Sequence, residues 1–291
     1  MQIQWRCWGH SPFQPRDETM TAGANMICKQ TPRQPDNLCV MDLKEVENRE
    51  NPRHPWEICR RNFFTGIVAE TVRGGAKTKI LDVGAGDGWV SQGLSDAIPI
   101  GDKIICWDIN YTPQDLDQYS MGAASGLNYV CERPQGKFDL ILMLDVLEHM
   151  ETDSKFLDQL VSGNLDADGF IVISVPAWPA LFSAHDRALG HFRRYTPGGA
   201  RALITGQGLR ILRSGGLFHS LILPRAMQRA REKWAPKGPG KSGVGGWNGG
   251  TLATNVIVAA LSADNKFSAL LSRIGISAPG LSWWAVCQKN S

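Results

Sequence analysis

The amino-acid sequence predicts an α/β fold, a mostly parallel sheet with helices on both faces, and two observations carry that expectation. The first is the stretch Lys79-Ile80-Leu81-Asp82-Val83-Gly84-Ala85-Gly86-Asp87-Gly88-Trp89-Val90, an apolar run ending in a carboxylate, three glycines at every second position, and then a helical pattern to Ile98. That order spells a buried strand, a tight turn and a helix start. The second is the recurrence of strand-length apolar runs separated by helical patterns, which implies β-α-β units with right-handed crossovers. A glycine turn at a strand's C-terminal end is where such a sheet holds a nucleotide. Glycine lets the ligand approach the main chain, and Asp82 and the first helical N–H groups offer polar contacts.

Length and composition bound the alternatives. With 291 residues and 43% hydrophobic content the chain can pack one large domain with appendages. Residues 1 to about 40, rich in Gln, Pro, Thr and Asn without apolar periodicity, read as a poorly ordered or peripheral extension, and 41–291 as the domain. A net charge of +3 is too small to imply a nucleic-acid partner. The seven cysteines, Cys7, Cys28, Cys39, Cys59, Cys106, Cys131 and Cys287, show no C-x-x-C pair and read as thiols in a reducing cytoplasm. No apolar run approaches the ~18 residues of a membrane span, and no signal-peptide core is present, so a soluble, cytoplasmic protein is expected.

The elements follow in order. Pro55 to Val68 has apolar residues at helical spacing, with Trp56 and Arg61 either in a packing stripe or within reach of a ligand. After the first strand, Lys79 to Val83, a second runs from Lys103 to Asp108. Asp108 lies 24 residues beyond Gly84, where one carboxylate can accept hydrogen bonds from two ribose hydroxyls; the plainer reading is a strand-end or capping Asp. Leu127 to Cys131 is a third strand, with Glu132 just after it. Phe138 to Leu144 is a fourth, and Asp145 and His149 beyond it would share a face if a helix begins there. A helix with Phe156, Leu157 and Leu160 precedes a fifth strand, Gly169 to Val175. Leu209 to Leu217 and Leu281 to Cys287 supply a sixth and a seventh.

The spacing of the glycines discriminates between nucleotides. A dinucleotide fingerprint needs its third glycine at position 89, where Trp89 is too large for close packing of helix on strand. The pattern G-x-G-x-G, Asp108, Phe138-Asp139-Leu140-Ile141, Asp145-Val146-Leu147-Glu148-His149 and Gly169 to Pro176 together resemble the class I S-adenosylmethionine-dependent methyltransferases over residues 54 to 288. The resemblance implies a Rossmann-like sheet of seven strands, the last antiparallel and inserted between strands five and six. It implies S-adenosylmethionine as cofactor, with Asp82, Gly84, Ala85, Gly86 and Gly88 along its methionine and ribose portion. It also places Asp108 at the ribose, counts Ile109 among the cofactor contacts, and puts Glu132 near the adenine and Leu144 and Asp145 at the methionine end. A narrower likeness, His185-Asp186 and Gly190-His191-Phe192-Arg193-Arg194-Tyr195-Thr196, is to a bacterial subgroup often found among genes for saccharides, lipids or secondary metabolites.

That loop after the fifth strand also carries the candidate chemistry. His191 or His185 could act as a general base oriented by a carboxylate, or either could be structural. Asp145 joins them as a catalytic candidate. Arg193, Arg194, Tyr195 and His149 are candidate acceptor contacts, although one arginine could instead pin the loop to Asp186 or Glu148. A metal site of His185, Asp186 and His191 matches no common ligand spacing, and none is expected. Between the last two strands lies a basic and helical insert, about 225–275. Its run from Arg225 to Lys241 is either a solvated face or a patch for an anionic or lipid-linked substrate, with peripheral membrane contact. The expected activity is methyl transfer to oxygen or nitrogen of a small or carrier-linked metabolite. An NAD(P)-dependent oxidoreductase and a non-catalytic binding module are the alternatives.

Overall fold

Strand β1 (Ile80–Val83) is buried at all four positions, as an apolar run at the centre of a two-sided sheet must be. It pairs in parallel with β2 (Ile104–Trp107) on one side and β4 (Phe138–Leu144) on the other. With β3 (Leu127–Val130), β5 (Leu165–Pro176), β6 (Leu209–Leu217) and β7 (Ser282–Lys289), the order is β3-β2-β1-β4-β5-β7-β6. β7 runs antiparallel to both neighbours, setting Ser282 opposite Pro176 and Leu217. These relations come from a computed structural model that describes residues 53–72, 78–98, 104–122, 126–234 and 247–290. The expected extension 1–40, three of the cysteines (Cys7, Cys28, Cys39) and the basic residues Lys237 and Lys241 lie outside the described residues.

Helices cover both faces. Helix α1 (Pro55–Thr71), α2 (Trp89–Ala97) and α8 (Gly250–Arg273) enclose one core with Phe63, Phe64, Ile67, Leu94, Leu261 and Trp284. On the other face α4 (Asp153–Asn164) and α6 (Pro197–Thr205) pack Leu157, Leu160 and Ile204 against the sheet, with Trp283. The adjacent tryptophans of β7 enter opposite cores because side chains alternate along a strand.

Four local outcomes differ from the sequence reading. β5 starts at Leu165 rather than Gly169: exposed Asp166, Ala167 and Asp168 continue the strand beside β4 without an apolar pattern to announce it. Helix α3 (Pro113–Gly122) has no apolar stripe; Thr112 and Asp115 cap it reciprocally, and Tyr119 packs on Tyr111 and Tyr129. Asp145 and His149 are not on one α-helix, because Asp145 has φ 57° and only Leu147–His149 makes a 3-10 turn. Cys131, read as a thiol, is disulfide-bonded, whereas Cys59, Cys106 and Cys287 are free and buried. The basic run begins on α7 (Ile222–Trp234). No helix among the described residues is long and apolar enough to cross a membrane.

Candidate active site

The glycine turn takes its shape from three left-handed residues: Gly84, Gly86 and Gly88 have φ 65°, 56° and 75°. A side chain is strained in that region. At Gly88 a Cβ would also overlap the Tyr129 hydroxyl. The turn is tied to β2 by Gly84 and Ala85 N–H groups donating to the Trp107 carbonyl (2.7 and 3.3 Å), and the Tyr111 hydroxyl donates to Gly86 O (2.5 Å). Asp82, 4% exposed, accepts from Ser91 Oγ (2.7 Å) and so joins the end of β1 to α2. Trp89, the residue that breaks the dinucleotide spacing, lies beneath the Arg61 guanidinium at 3.9 Å, with Arg53 at 4.7 Å. Arg61 therefore meets the turn through Trp89, a partner that helical periodicity did not indicate.

Asp108 is 1% exposed at the end of β2. Its Oδ1 accepts from Asn110 N (2.9 Å) and Nδ2 (3.0 Å), and its Oδ2 is 3.4 Å from Gly86 N. Burial pushes its carboxyl upward, and these hydrogen bonds partly oppose the shift. Ile109, just beyond, is exposed, and so is Glu132 after β3. Leu144 closes β4, buried, immediately before Asp145.

Beside the turn, at the same edge of the sheet, a cavity of about 250 Å³ opens where β4 and β5 end and β7 begins. In open α/β sheets the crevice outside the strands' carboxyl ends is the ligand site, at the point where the strand order reverses, here between β1 and β4. Asp145, Glu148, His149, His185, His191 and Arg194 all line it. Arg60, Trp56, Ser174, Phe218 and Arg225 line it too. Of these, Arg60 was missed. It is a buried cation on the apolar side of α1, a signal visible in the sequence, and its guanidinium reaches Asp145 Oδ2 at 2.8 Å. Ser174 Oγ donates to the other oxygen, Asp145 Oδ1 (2.9 Å).

The loop after β5 is organised on Asp186, whose side chain is fully buried. Its Oδ2 accepts from Ser183 N (2.8 Å) and Oγ (2.9 Å); its Oδ1 accepts from Arg194 Nε (2.7 Å) and faces His191 Nδ1 (3.1 Å). Burial would raise this carboxyl, but the hydrogen bond with His191 and the Arg194 charge hold it well below the usual carboxylate range. An ionised Asp186 can only accept, so His191 Nδ1 is the donor and Nε2 faces away from the carboxylate. The His191 ring stands edge-on to His149, centroids 4.6 Å apart at 89°. Burial, with the neighbouring His191, pulls the His149 pKa down to about 4, and burial and Arg225 lower that of His185.

Two candidate acceptor contacts sit elsewhere. Arg193 bonds Asp153 Oδ2 (3.1 Å) and Glu151 O (2.7 Å), and the Tyr195 hydroxyl donates to the same Asp153 oxygen (2.7 Å). Neither residue lines the cavity. Both fasten the loop to α4. Of the two adjacent arginines, Arg194, anchored to Asp186 and to Ala177 O, is the one at the cavity. The histidine-carboxylate grouping also changes: Glu148, His149 and His191 converge, their ligand atoms within 4.8 Å of one another, while Asp186 stands behind His191.

With this geometry in view, one family model and several solved structures resemble the chain. A family model described as "Methyltransferase domain" matches residues 56–213, more than half of the chain. Among solved structures, the [4+2]-cyclase SpnF is 14% identical, with 84% of each chain covered and a TM-score of 0.48. A putative sarcosine dimethylglycine methyltransferase from Galdieria sulphuraria is 16% identical, with 79% of this chain and 84% of that one covered and a TM-score of 0.48. The plantazolicin methyltransferase BpumL in complex with SAH is 15% identical, with 86% and 87% covered and a TM-score of 0.48. No curated protein matches. The domain match decides the class: the chain belongs to the methyltransferase-domain family. It is an S-adenosylmethionine-dependent methyltransferase with a Rossmann-like sheet.

Proposed function

We propose that this methyltransferase transfers the methyl group of S-adenosylmethionine to an oxygen or nitrogen of a small or carrier-linked metabolite, such as a saccharide, lipid or secondary-metabolite precursor. The observation that carries this reading is the cavity at the ends of β4 and β5, lined by His191 with Asp186 bonded behind it, and large enough for the reacting part of a small acceptor. The loop's likeness to a subgroup found among genes for such metabolites supports it.

In this reading the cofactor lies along Gly84 to Gly88. Asp108, whose Oδ2 has among the described residues only the long contact from Gly86 N, receives the ribose hydroxyls, with Ile109 and Glu132 as further cofactor contacts. Leu144 and Asp145 bound the methionine end, and Arg60 holds Asp145 in place. Methyl transfer is an in-line displacement, so alignment of acceptor, methyl carbon and sulfur is the main demand. The acceptor atom forms a bond to the methyl carbon as the carbon–sulfur bond breaks, and sulfur keeps the electron pair, giving S-adenosylhomocysteine. His191 Nε2 takes the acceptor's proton and releases it to solvent, with Asp186 stabilising the imidazolium; His185 and His149 bound the acceptor. Arg194 and Arg225 offer positive charge to an anionic acceptor group.

Helix α7 gives the carrier-linked or lipid-linked case its support. Leu223, Met227 and Trp234 are exposed and fall on one helical face, and the helix begins just after Leu221, which lines the cavity together with Arg225 of the helix. The test is calorimetric titration with S-adenosylhomocysteine, wild type beside Asp108→Ala, followed by acceptor screening with His191→Asn as control. Binding by wild type, lost in Asp108→Ala, with turnover lost and cofactor binding kept in His191→Asn, is expected. A fully active His191→Asn overturns its assignment as base.

A further inference from the structure

We propose that Glu148, His149 and His191 form a binding site for one divalent transition-metal ion in the acceptor cavity, which would bind the oxygen of a hydroxyl acceptor. The sequence conceals the set. Glu148 and His149 sit in the turn after β4, His191 in the loop after β5, and the Phe192 N–H to Glu148 carbonyl hydrogen bond (2.8 Å) brings the two loops together. One ligand atom from each residue lies within 4.8 Å of the others. An ion bound at ~2.0–2.2 Å holds tetrahedral ligands about 3.4 Å apart, so the side chains close by little more than about 1 Å.

Two further observations point to a ligand. His149 is 6% exposed, and its Nδ1 is buried without a hydrogen-bond partner among the described residues. A buried ring nitrogen of that kind carries a cost that coordination removes. Behind His191, Asp186 accepts from Nδ1, which directs Nε2 away from the carboxylate; a carboxylate behind a ligating imidazole is the usual support of a metal-bound histidine. Asp145 stays out of the set because Arg60 and Ser174 hold both its oxygens.

One carboxylate and two imidazoles suit zinc, manganese and their neighbours. Mg2+ prefers carboxylates and water. Three protein ligands leave positions for a substrate oxygen. The inference rests on the methyltransferase reading of this cavity and changes one part of it: with the ion bound, His191 Nε2 is a ligand, and the ion acidifies the hydroxyl, whose proton passes to solvent. The acceptor class narrows to alcohols or phenols.

The experiment strips the full chain with EDTA and titrates it calorimetrically with Zn2+, Mn2+ and Mg2+, counting bound metal by mass spectrometry. S-adenosylhomocysteine binding is measured on the same samples as a check of fold. Wild type is expected to take one Zn2+ or Mn2+ per chain, at least about tenfold tighter than Mg2+. His149→Asn and His191→Asn should each weaken that affinity by about tenfold or more, while His185→Asn, outside the set, keeps it. No uptake by a wild type that binds S-adenosylhomocysteine, at metal up to about 1 mM, overturns the metal site and leaves methyl transfer standing. Unchanged affinity in both histidine variants also overturns it. Metal binding without S-adenosylhomocysteine binding supports the site and overturns the proposed function.

Discussion

Replacing Asp186 by Asn tests whether the loop is built on a charge. The carboxylate is fully buried, with Ser183 N and Oγ on one oxygen, and Arg194 Nε and His191 Nδ1 on the other. Asn keeps the shape but has one acceptor oxygen, so its NH2 must face either the two Ser183 donors or the Arg194 and His191 pair. It also leaves Arg194, only 7% exposed, without its counter-charge. Removing one partner of a buried ion pair costs about 3–5 kcal/mol. For a domain of this size each kcal/mol moves Tm by roughly 2–4 °C, so the expected fall is about 6–20 °C. Scanning calorimetry of chelator-treated protein measures it. The double variant Asp186→Asn, Arg194→Met should lose less than the sum of the single changes, by more than about 0.5 kcal/mol, because the pair is coupled. A fall in Tm below about 2 °C for Asp186→Asn would refute the claim that this charge organises the loop.

Other consequences follow from the same structure. Gly88→Ala combines a left-handed φ of 75° with overlap of Tyr129, and should cost about 2–4 kcal/mol in urea unfolding; a loss below about 1 kcal/mol contradicts the tight turn. His149 is held near pKa 4 by burial, below its ordinary 6.5, and His185 is lowered too, so between those values the unfolded chain binds more protons than the folded one. Stability of the metal-stripped protein should therefore fall as pH drops from about 6.5 toward 4, by on the order of 3 kcal/mol for His149. Denaturant midpoints that stay flat over that window in wild type would remove this account. Arg193→Ala should leave the acceptor KM within about twofold while Arg194→Ala raises it, because of these two only Arg194 lines the cavity; equal KM effects would return Arg193 to the substrate.

The sequence by itself determined most of the strands and the glycine turn. Strands β1, β2 and β4 and the three glycines were legible because burial on both faces demands continuous apolar runs, and left-handed turn positions demand glycine. Where no such pattern exists, at capped α3 and at the polar start of β5, the chain gave no sign. The order with β7 between β5 and β6 was expected only through resemblance to a family, since pairing partners leave little trace in one sequence. The candidate site divides similarly. His191 and Asp186, five positions apart, could be paired by eye. That Arg60 meets Asp145, that Arg193 and Tyr195 turn to Asp153, and that Glu148 and His149 converge on His191 were decided by the tertiary structure. These contacts join residues some 40 to 85 positions apart. Only the packing of helix α1 and the two loops on one sheet edge brings them within reach.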